Sequence, residues 1–244
     1  MKTRQKLRKA ATVTTVALFP VSLYYFSPLL SIQSLALGIL AGSVAMFALL
    51  FVSSLFLGRA FCAWVCPAGA VQELVRGFGG RPVNRLRIRW IKWPIWITWV
   101  LTLVVMVFRA GGIHAIDLTW LTWHGVSVTD MPGAIALFSV VGLFSVLALV
   151  VGRRAGCHTV CWMAPFMILG RKARNFFGWP SLRLSPNADA CNECGSCSRK
   201  CPMSIGVTTM VRSGRIESSD CILCASCVDA CPRGAIQVTF SSGH

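Results

Sequence analysis

The chain has 244 residues, of which 55% are hydrophobic and 13% are charged, and its mean hydropathy is +0.65. These values exclude an ordinary soluble domain of this length and predict several membrane-spanning helices. Taken alone, the net charge of +16 would suit a nucleic-acid-binding protein. The distribution of the basic residues argues against that class.

Four apolar stretches are long enough to cross a bilayer, which takes about 20 residues of helix. They cover residues 11–30, 35–57, 90–108 and 133–151. Lys92 is the charged residue inside these stretches, and its position near a helix end predicts that its side chain reaches the membrane interface. We therefore expect an α-helical membrane bundle of about four spans.

The basic residues cluster before the first stretch, between the second and third, and after the fourth. They are Lys2, Arg4, Lys6, Arg8 and Lys9, then Arg59, Arg76, Arg81, Arg85, Arg87 and Arg89, then Arg153, Arg154, Arg171, Lys172 and Arg174. The other two loops contain Arg109, Asp117 and Asp130. This positive-inside bias predicts a multi-pass inner-membrane protein with both termini in the cytoplasm and contacts to anionic lipid, and no nucleic-acid partner.

Two cysteines follow the second stretch, in the sequence GRAFCAWVCPAGAVQE at residues 58–73. Cys62 and Cys66 are four residues apart, so on a helix their side chains face the same way. Pro67 suits the first position of a new helix. Cys66 would then lie near a helix N-terminus, where the helix dipole and Arg59 lower the pKa of a thiol.

A second pair, Cys157 and Cys161, repeats this arrangement after the fourth stretch, in GRRAGCHTVCWMAPF at 152–166. Aligning Arg59 with Arg154 superimposes the two pairs, which predicts two pseudo-repeats with both pairs at one membrane depth. The four sulfurs of Cys62, Cys66, Cys157 and Cys161 are candidates for a further metal or cluster site or for a dithiol–disulfide relay. Ordinary buried cysteines are the structural alternative.

Histidines and tryptophans near the spans give weaker signals. His114, His124, His158 and His244 all lie outside the predicted spans, so we expect no b-type haem in the membrane. A quinone site needs an apolar slot with a few polar groups. Its candidates are His114, Asp117, Trp120, Trp123 and His124 in the outer loop, and Trp93, Trp96 and Trp99 near the inner face. The alternative for the tryptophans is an aromatic belt that anchors helix ends.

The last eight cysteines form two runs with the pattern C-x2-C-x2-C-x3-C-P, at residues 191–202 and 221–232. This is the bacterial ferredoxin run, in which the fourth cysteine binds the other cluster. The first [4Fe–4S] cluster is therefore assigned to Cys191, Cys194, Cys197 and Cys231. The second is assigned to Cys221, Cys224, Cys227 and Cys201. Structural disulfides and zinc are the alternatives, but a reducing compartment disfavours disulfides and zinc usually takes two C-x2-C pairs.

The chain is accordingly divided into a membrane domain at 1–175, a linker at 176–190 and a small α+β ferredoxin-like domain at 191–244. Between the two cysteine runs, the segment MVRSGRIE at 210–217 predicts a β-hairpin with Gly214 at its turn.

The two C-x3-C motifs followed by a two-cluster ferredoxin resemble the NapH-type membrane quinol dehydrogenases. The chain is also similar to the C-terminal half of the nitrous-oxide reductase accessory flavoprotein and to ferredoxin-bearing cytochrome oxidase assembly proteins. One departure is that Cys161 is followed by Trp162, and the first proline is Pro165.

The resemblance implies an oxidoreductase subunit that moves electrons between a membrane quinol and iron–sulfur centres, with a separate redox protein as partner. A factor for metalloenzyme maturation or for reduction of a metal ion such as copper is the alternative function. A passive membrane anchor for a soluble redox partner is a third function, but it leaves the paired cysteines unexplained.

Overall fold

The computed structural model describes residues 3–75, 82–83 and 90–242. Several basic residues on which the predicted topology rests lie outside the described residues, together with one of the four histidines. They are Lys2, Arg76, Arg81, Arg85, Arg87, Arg89 and His244.

The first part of the chain consists of helices and one short strand. They are α1 Thr3–Ala17, α2 Phe19–Ser22, a 3-10 turn Tyr24–Phe26, α3 Pro28–Ala36, β1 Ile39–Ala41, α4 Gly42–Leu57, α5 Ala60–Trp64 and α6 Pro67–Val75.

The predicted span at 11–30 was wrong as a single helix. α1 ends at Ala17, and α2 begins with Pro20 in its first turn; proline has no N–H to continue a helix. The inward face of α1 carries the buried side chains of Gln5, Arg8 and Thr12. This polar stripe packs against protein, and it makes α1 unlike a lipid-facing span.

The predicted span at 35–57 is also divided. α3 ends at Ala36, Gly38 has a φ of 70°, and β1 comes before α4 begins at Gly42. A positive φ is accessible to glycine and ends a helix. α4 has 16 residues, about 24 Å of helix at 1.5 Å per residue, which is shorter than a hydrocarbon core of about 30 Å.

The middle of the chain contains the two longest helices. Its elements are α7 Lys92–Arg109, β2 Ala115–Asp117, α8 Met131–Val150, α9 Ala155–Thr159 and α10 Ala164–Phe177. Among the described residues, α7 and α8 are long and apolar enough to cross a membrane. They lie within two residues of the predicted spans 90–108 and 133–151. The predicted bundle of four spanning helices is therefore not confirmed.

α7 and α8 expose large apolar side chains along most of their length. Phe108 is 80% exposed, Phe138 is 73% exposed and Val150 is 79% exposed. A continuous apolar surface of this kind is unfavourable in water and is normally covered by lipid or by another protein.

The helices around the two cysteine pairs pack reciprocally. α4, which precedes the first pair, packs on α10, which follows the second; α8, which precedes the second pair, packs on α6, which follows the first. β1 pairs in parallel with β2, from Ile39 with Ala115 to Ala41 with Asp117. The strand pair joins the segment before α4 to the segment after α7, at the end of α4 remote from Cys62.

The ferredoxin part has one small sheet and three short helices. Its elements are β3 Ser181–Pro186, α11 Ser196–Arg199, α12 Val207–Arg212, α13 Ser226–Ala230 and β4 Ile236–Ser241. β3 and β4 pair antiparallel, from Ser181 with Ser241 to Pro186 with Ile236. β3 thus lies in the segment predicted as a linker, 176–190, and is part of the sheet.

The β-hairpin predicted at 210–217 was wrong. Its first residues belong to α12, which ends near Gly214 with a φ of 70°. The sheet instead forms between the two ends of the ferredoxin part, so the segment between the cysteine runs needs no strand of its own. One hydrophobic core connects this part with the helices that carry Cys62 and Cys157.

Candidate functional site

The first cysteine run and the end of the second enclose one cavity. It is lined by Cys191, Cys194 and Cys197 together with Cys231. Gly195, with a φ of 70°, precedes α11 and lets the loop turn tightly between the second and third cysteines. The structure therefore brings together the four residues that the sequence assigns to the first cluster.

A second cavity has the reciprocal composition. Cys221, Cys224 and Cys227 line it together with Cys201 of the first run. Here Ala225 takes the left-handed conformation before α13, with a φ of 57°. Four thiols around one cavity are the donor set that a [4Fe–4S] cluster requires, so both cavities fit that cofactor.

Backbone N–H groups donate to the fourth sulfur of each run. The N–H of Ile205 donates to Cys201 Sγ at 3.5 Å, and the N–H of Ala235 donates to Cys231 Sγ at 3.3 Å. The donor follows the cysteine by four residues in both runs. Hydrogen bonds of this kind stabilise a bound thiolate and set the reduction potential of a cluster.

The two cavities differ in exposure. Cys194 of the first is exposed, whereas Cys201, Cys224 and Cys227 of the second are at most 8% exposed. The first cavity therefore lies near the protein surface and the second lies inside the molecule.

The membrane-side cysteines also converge. Cys62, Cys66, Cys157 and Cys161 are each 4–5% exposed and belong to one core. The N–H of Cys62 donates to the Arg59 carbonyl, and the N–H of Cys66 donates to that of Phe61; the same two bonds recur ninety-five positions later, at Cys157 and Cys161. The two segments thus repeat one another in backbone structure.

The pKa expected for Cys66 was wrong. α5 ends at Trp64 and α6 begins at Pro67, so Cys66 does lie directly before a helix. Burial nevertheless raises the pKa of Cys66 well above its ordinary value, and the three neighbouring membrane-side thiols raise it further. Burial similarly raises the pKa of Cys161. Desolvation of the thiolate outweighs the helix N-terminus here.

Polar side chains connect each repeat to the cysteines of the other. Gln72 Nε2 donates to Cys157 Sγ at 3.3 Å, and Gln72 Oε1 accepts from the N–H of Gly156 at 2.9 Å. In return, Arg154 Nη1 donates to the Cys62 carbonyl at 2.8 Å. Arg59 Nη2 lies 3.9 Å from Cys62 Sγ.

A buried ionic cluster lies beside these cysteines. Asp220 Oδ1 is 3.4 Å from Lys92 Nζ and 3.9 Å from Arg59 Nη1, and Asp220 Oδ2 is 3.9 Å from His158 Nδ1. The prediction that Lys92 reaches the membrane interface was wrong, because its side chain is 3% exposed and pairs with Asp220. Sequence reasoning also missed Gln72 and Asp220, although Asp220 directly precedes a cluster cysteine.

The cysteine loop of the second cavity packs onto the membrane-side segments. Arg59 Nη1 donates to the Ser219 carbonyl at 2.8 Å, and Trp64 Nε1 donates to the Leu223 carbonyl at 3.5 Å. Gln5 of α1 donates to the Cys224 carbonyl at 3.0 Å. The loop of the interior ferredoxin cavity is therefore in contact with the segment that carries Cys62 and Cys66.

The residues considered for a quinone site divide into two groups. Trp96 and Trp99 stack edge-on against Phe166 of α10, and Trp99 Nε1 donates to the Pro28 carbonyl. These rings belong to the packing between helices. In the outer loop, His114 Nε2 lies 2.8 Å from the Ala110 carbonyl. Asp117 accepts two bonds from Thr119, and Trp123 packs edge-on against His124.

Two domain families match the chain. A 4Fe-4S binding domain matches residues 39–85, which contain Cys62 and Cys66. A 4Fe-4S dicluster domain matches residues 183–232, which contain all eight C-terminal cysteines. No solved structure matches the chain.

The relatives include ferredoxin-type proteins over most of the chain. The ferredoxin-type protein NapH of Escherichia coli is 27% identical over 88% of this chain and 76% of its own length. The methylamine utilization ferredoxin-type protein MauN of Methylobacillus flagellatus is 27% identical over 88% of this chain and 75% of its own length. The Escherichia coli protein YccM is 26% identical over 96% of this chain and 67% of its own length.

Proposed function

We propose that the chain is a NapH-type ferredoxin-type protein and that it exchanges electrons between the quinone pool and a redox partner protein. Two [4Fe–4S] clusters would carry the electrons one at a time, because a cluster changes its charge by one on reduction. The first would be held by Cys191, Cys194, Cys197 and Cys231. The second would be held by Cys221, Cys224, Cys227 and Cys201.

The observation that carries this proposal is the composition of the two cavities. Each is lined by three cysteines of one run and the fourth cysteine of the other. The protein contributes ligation, burial and N–H donors to the sulfurs, and the redox chemistry belongs to the clusters.

The packing of the ferredoxin part supports an order for the centres. The Cys221–Cys224 loop contacts the segment around Cys62, whereas Cys194 of the other cavity is exposed. Electrons would therefore pass between the membrane-side cysteines and the second cluster, then to the first cluster, and from there to the partner protein.

The apolar surfaces of α7 and α8 support membrane insertion, and lipid would cover them. The basic residues on the cysteine side of these helices support an inner-membrane protein whose termini and ferredoxin part are cytoplasmic. Quinone dissolved in the bilayer would then have access to the helices that lead to Cys62 and Cys157.

A second function is favoured by one contact. Cys62 Sγ lies 3.8 Å from Met167 Sδ, and thiolate and thioether ligands select soft ions such as Cu⁺. In this alternative the membrane-side site would reduce a metal ion during metalloenzyme maturation, with the clusters as its electron source.

Anaerobic quinol reduction tests the first function. In detergent-solubilised full-length protein, we expect menaquinol or ubiquinol to bleach the cluster absorbance. Cys62→Ser and Cys157→Ser should lose this reaction at least tenfold while dithionite still reduces the ferredoxin clusters. Ser213→Ala, an exposed change at the end of α12, serves as the control.

Quinol bleaching at the wild-type rate in both cysteine variants would contradict the first function. Retained quinol bleaching together with lost reduction of Cu²⁺ in the same variants would favour the second.

A further inference from the structure

The charged side chains around the four membrane-side thiols bear on what this site binds. All four are free thiols, and all four are buried in one core. Free thiols and disulfides are both neutral. A buried site of neutral groups needs no ionic neighbours, because uncompensated charge is costly to bury.

Instead, ion pairs join four buried cations to two carboxylates beside this site. Glu73 pairs with Arg8 and Arg154, and Asp220 pairs with Arg59 and Lys92. Each of the four cations is at most 3% exposed. Among the described residues, these ion pairs thus contain two more basic than acidic side chains.

No other acidic side chain balances this excess. The remaining carboxylates are in the outer loop, at the start of α8, or in the ferredoxin part, where three pair with arginines of their own: Asp117, Asp130, Asp189, Glu193, Glu217 and Asp229. The residues outside the described ranges include no Asp or Glu. The remaining sources of negative charge are the interior ferredoxin cluster, whose loop accepts from Arg59, and the membrane-side cysteines with whatever they bind.

A [4Fe–4S]²⁺ core bound by four thiolates has a net charge of about −2, so these cations would stabilise it. Two cations reach the cysteine segment directly. Arg59 Nη2 lies 3.9 Å from Cys62 Sγ, and Arg154 donates to the Cys62 carbonyl. Gln72 adds a neutral donor to Cys157 Sγ. These contacts suit sulfurs that carry negative charge.

The spacing of the thiols is compatible with a cubane cluster. Within the described ranges, no three His, Cys, Asp or Glu side chains lie close enough to hold one metal ion. The eight ferredoxin cysteines give the same result. Each thiolate of a cubane binds a different iron, so four cysteines can hold a cubane without meeting at one ion.

We propose that Cys62, Cys66, Cys157 and Cys161 hold a third [4Fe–4S] cluster, with two ligands from each repeat. The 4Fe-4S binding domain matched at 39–85 contains two of these cysteines, and the second repeat supplies the other two. This inference rests on the proposed function and names its membrane-side centre. A cluster held there would accept the two electrons of a quinol one at a time and pass each to the second cluster, while the quinol becomes quinone and releases two protons.

Iron and acid-labile sulfide analysis of anaerobically isolated full-length protein tests the proposal. We expect about 12 iron atoms per chain, as three cubane clusters require, against about 8 for the ferredoxin part alone. Cys62→Ser and Cys157→Ser should each lose about one third of the iron. Cys194→Ser should lose a similar share from the ferredoxin part, and the Cys62→Ser, Cys194→Ser double variant about two thirds.

A wild-type preparation with about 8 iron atoms and four titratable thiols would overturn the proposal, whether or not the variants accumulate. One zinc ion per chain at these cysteines would overturn it too. Gln72→Leu gives a second readout: the midpoint potential of one paramagnetic centre should shift while the other two stay unchanged.

The iron analysis and the quinol reaction can give different answers, so the third cluster and the proposed function are tested separately. A protein with three clusters that quinol does not reduce would retain the third cluster and refute the quinone reaction. A protein with two clusters that quinol reduces normally would support the quinone reaction and refute the third cluster.

Discussion

Several basic residues that we predicted to mark the membrane edge are buried inside the protein. Arg59, Arg154 and Lys92 were interpreted from their positions along the chain, as marks of topology or as an interface anchor. Their side chains instead lie inside, against Asp220 and Glu73. Sequence spacing could not reveal these ion pairs, because Glu73 and Asp220 are each far along the chain from at least one of the basic residues with which they pair.

Glu73 gives a prediction at this scale. Burial alone would raise the pKa of Glu73, but Arg8 and Arg154 lower it to about 2. A carboxylate with a lowered pKa stabilises the folded state above its unfolded pKa of about 4.5, and this contribution is lost as the pH falls toward 2. It corresponds to about 3 kcal/mol at neutral pH.

We therefore expect Glu73→Gln to release α1, seen as loss of amide protection from hydrogen exchange over Thr3–Ala17. Wild-type protection, corrected for intrinsic exchange, should stay constant from pH 8 to 5 and fall below about 4.5. Glu193→Gln, which removes the exposed pair with Arg212, should change protection little. Equal protection of α1 in both variants would refute this role of Glu73.

Helices and loops were predictable where a local pattern determines them. The cysteine runs, the start of α6 at Pro67 and the positions of α7 and α8 follow from spacing, proline and apolar length. The breaks within the predicted spans 11–30 and 35–57 were not predicted. The prediction rested on the apolar content of each whole stretch and gave no weight to Pro20 and Gly38, at which the helices are interrupted. The polar stripe of Gln5, Arg8 and Thr12 was a readable signal that α1 packs against protein.

Close packing between α4 and α10 gives a prediction for these elements. A Cβ on Gly170 would overlap Ser54 Oγ and lie 2.8 Å from the Phe51 carbonyl oxygen. Gly170→Ala should therefore separate the two helices and destabilise the protein by about 1–3 kcal/mol, as overpacking does. Gly142→Ala in α8 meets nothing within 4 Å and is the matched control.

Thermal unfolding of the two glycine variants in detergent is the measurement. The Gly170→Ala protein should melt below the wild type, and the Gly142→Ala protein should melt at or slightly above it, since alanine favours a helix. A Gly170→Ala protein as stable as the control would mean that α4 and α10 do not pack this closely.

At the scale of the whole molecule, the ferredoxin part is attached by the loop that carries its interior cavity. Arg59, Trp64 and Gln5 each hold a backbone carbonyl of residues 219–224. In the proposed function, this arrangement orders the centres from the membrane-side cysteines through the interior cluster to the exposed one. The sequence predicted the ligand sets but not this order, which depends on how the two parts pack.

Rapid-freeze electron paramagnetic resonance after mixing with quinol tests this order most directly. In Cys194→Ser, which removes the exposed cluster, we expect the interior cluster to be reduced at the wild-type rate. In Cys224→Ser, which removes the interior cluster, the exposed cluster should stay oxidised with quinol yet be reduced by dithionite. Reduction of the exposed cluster by quinol at the wild-type rate in Cys224→Ser would contradict the account.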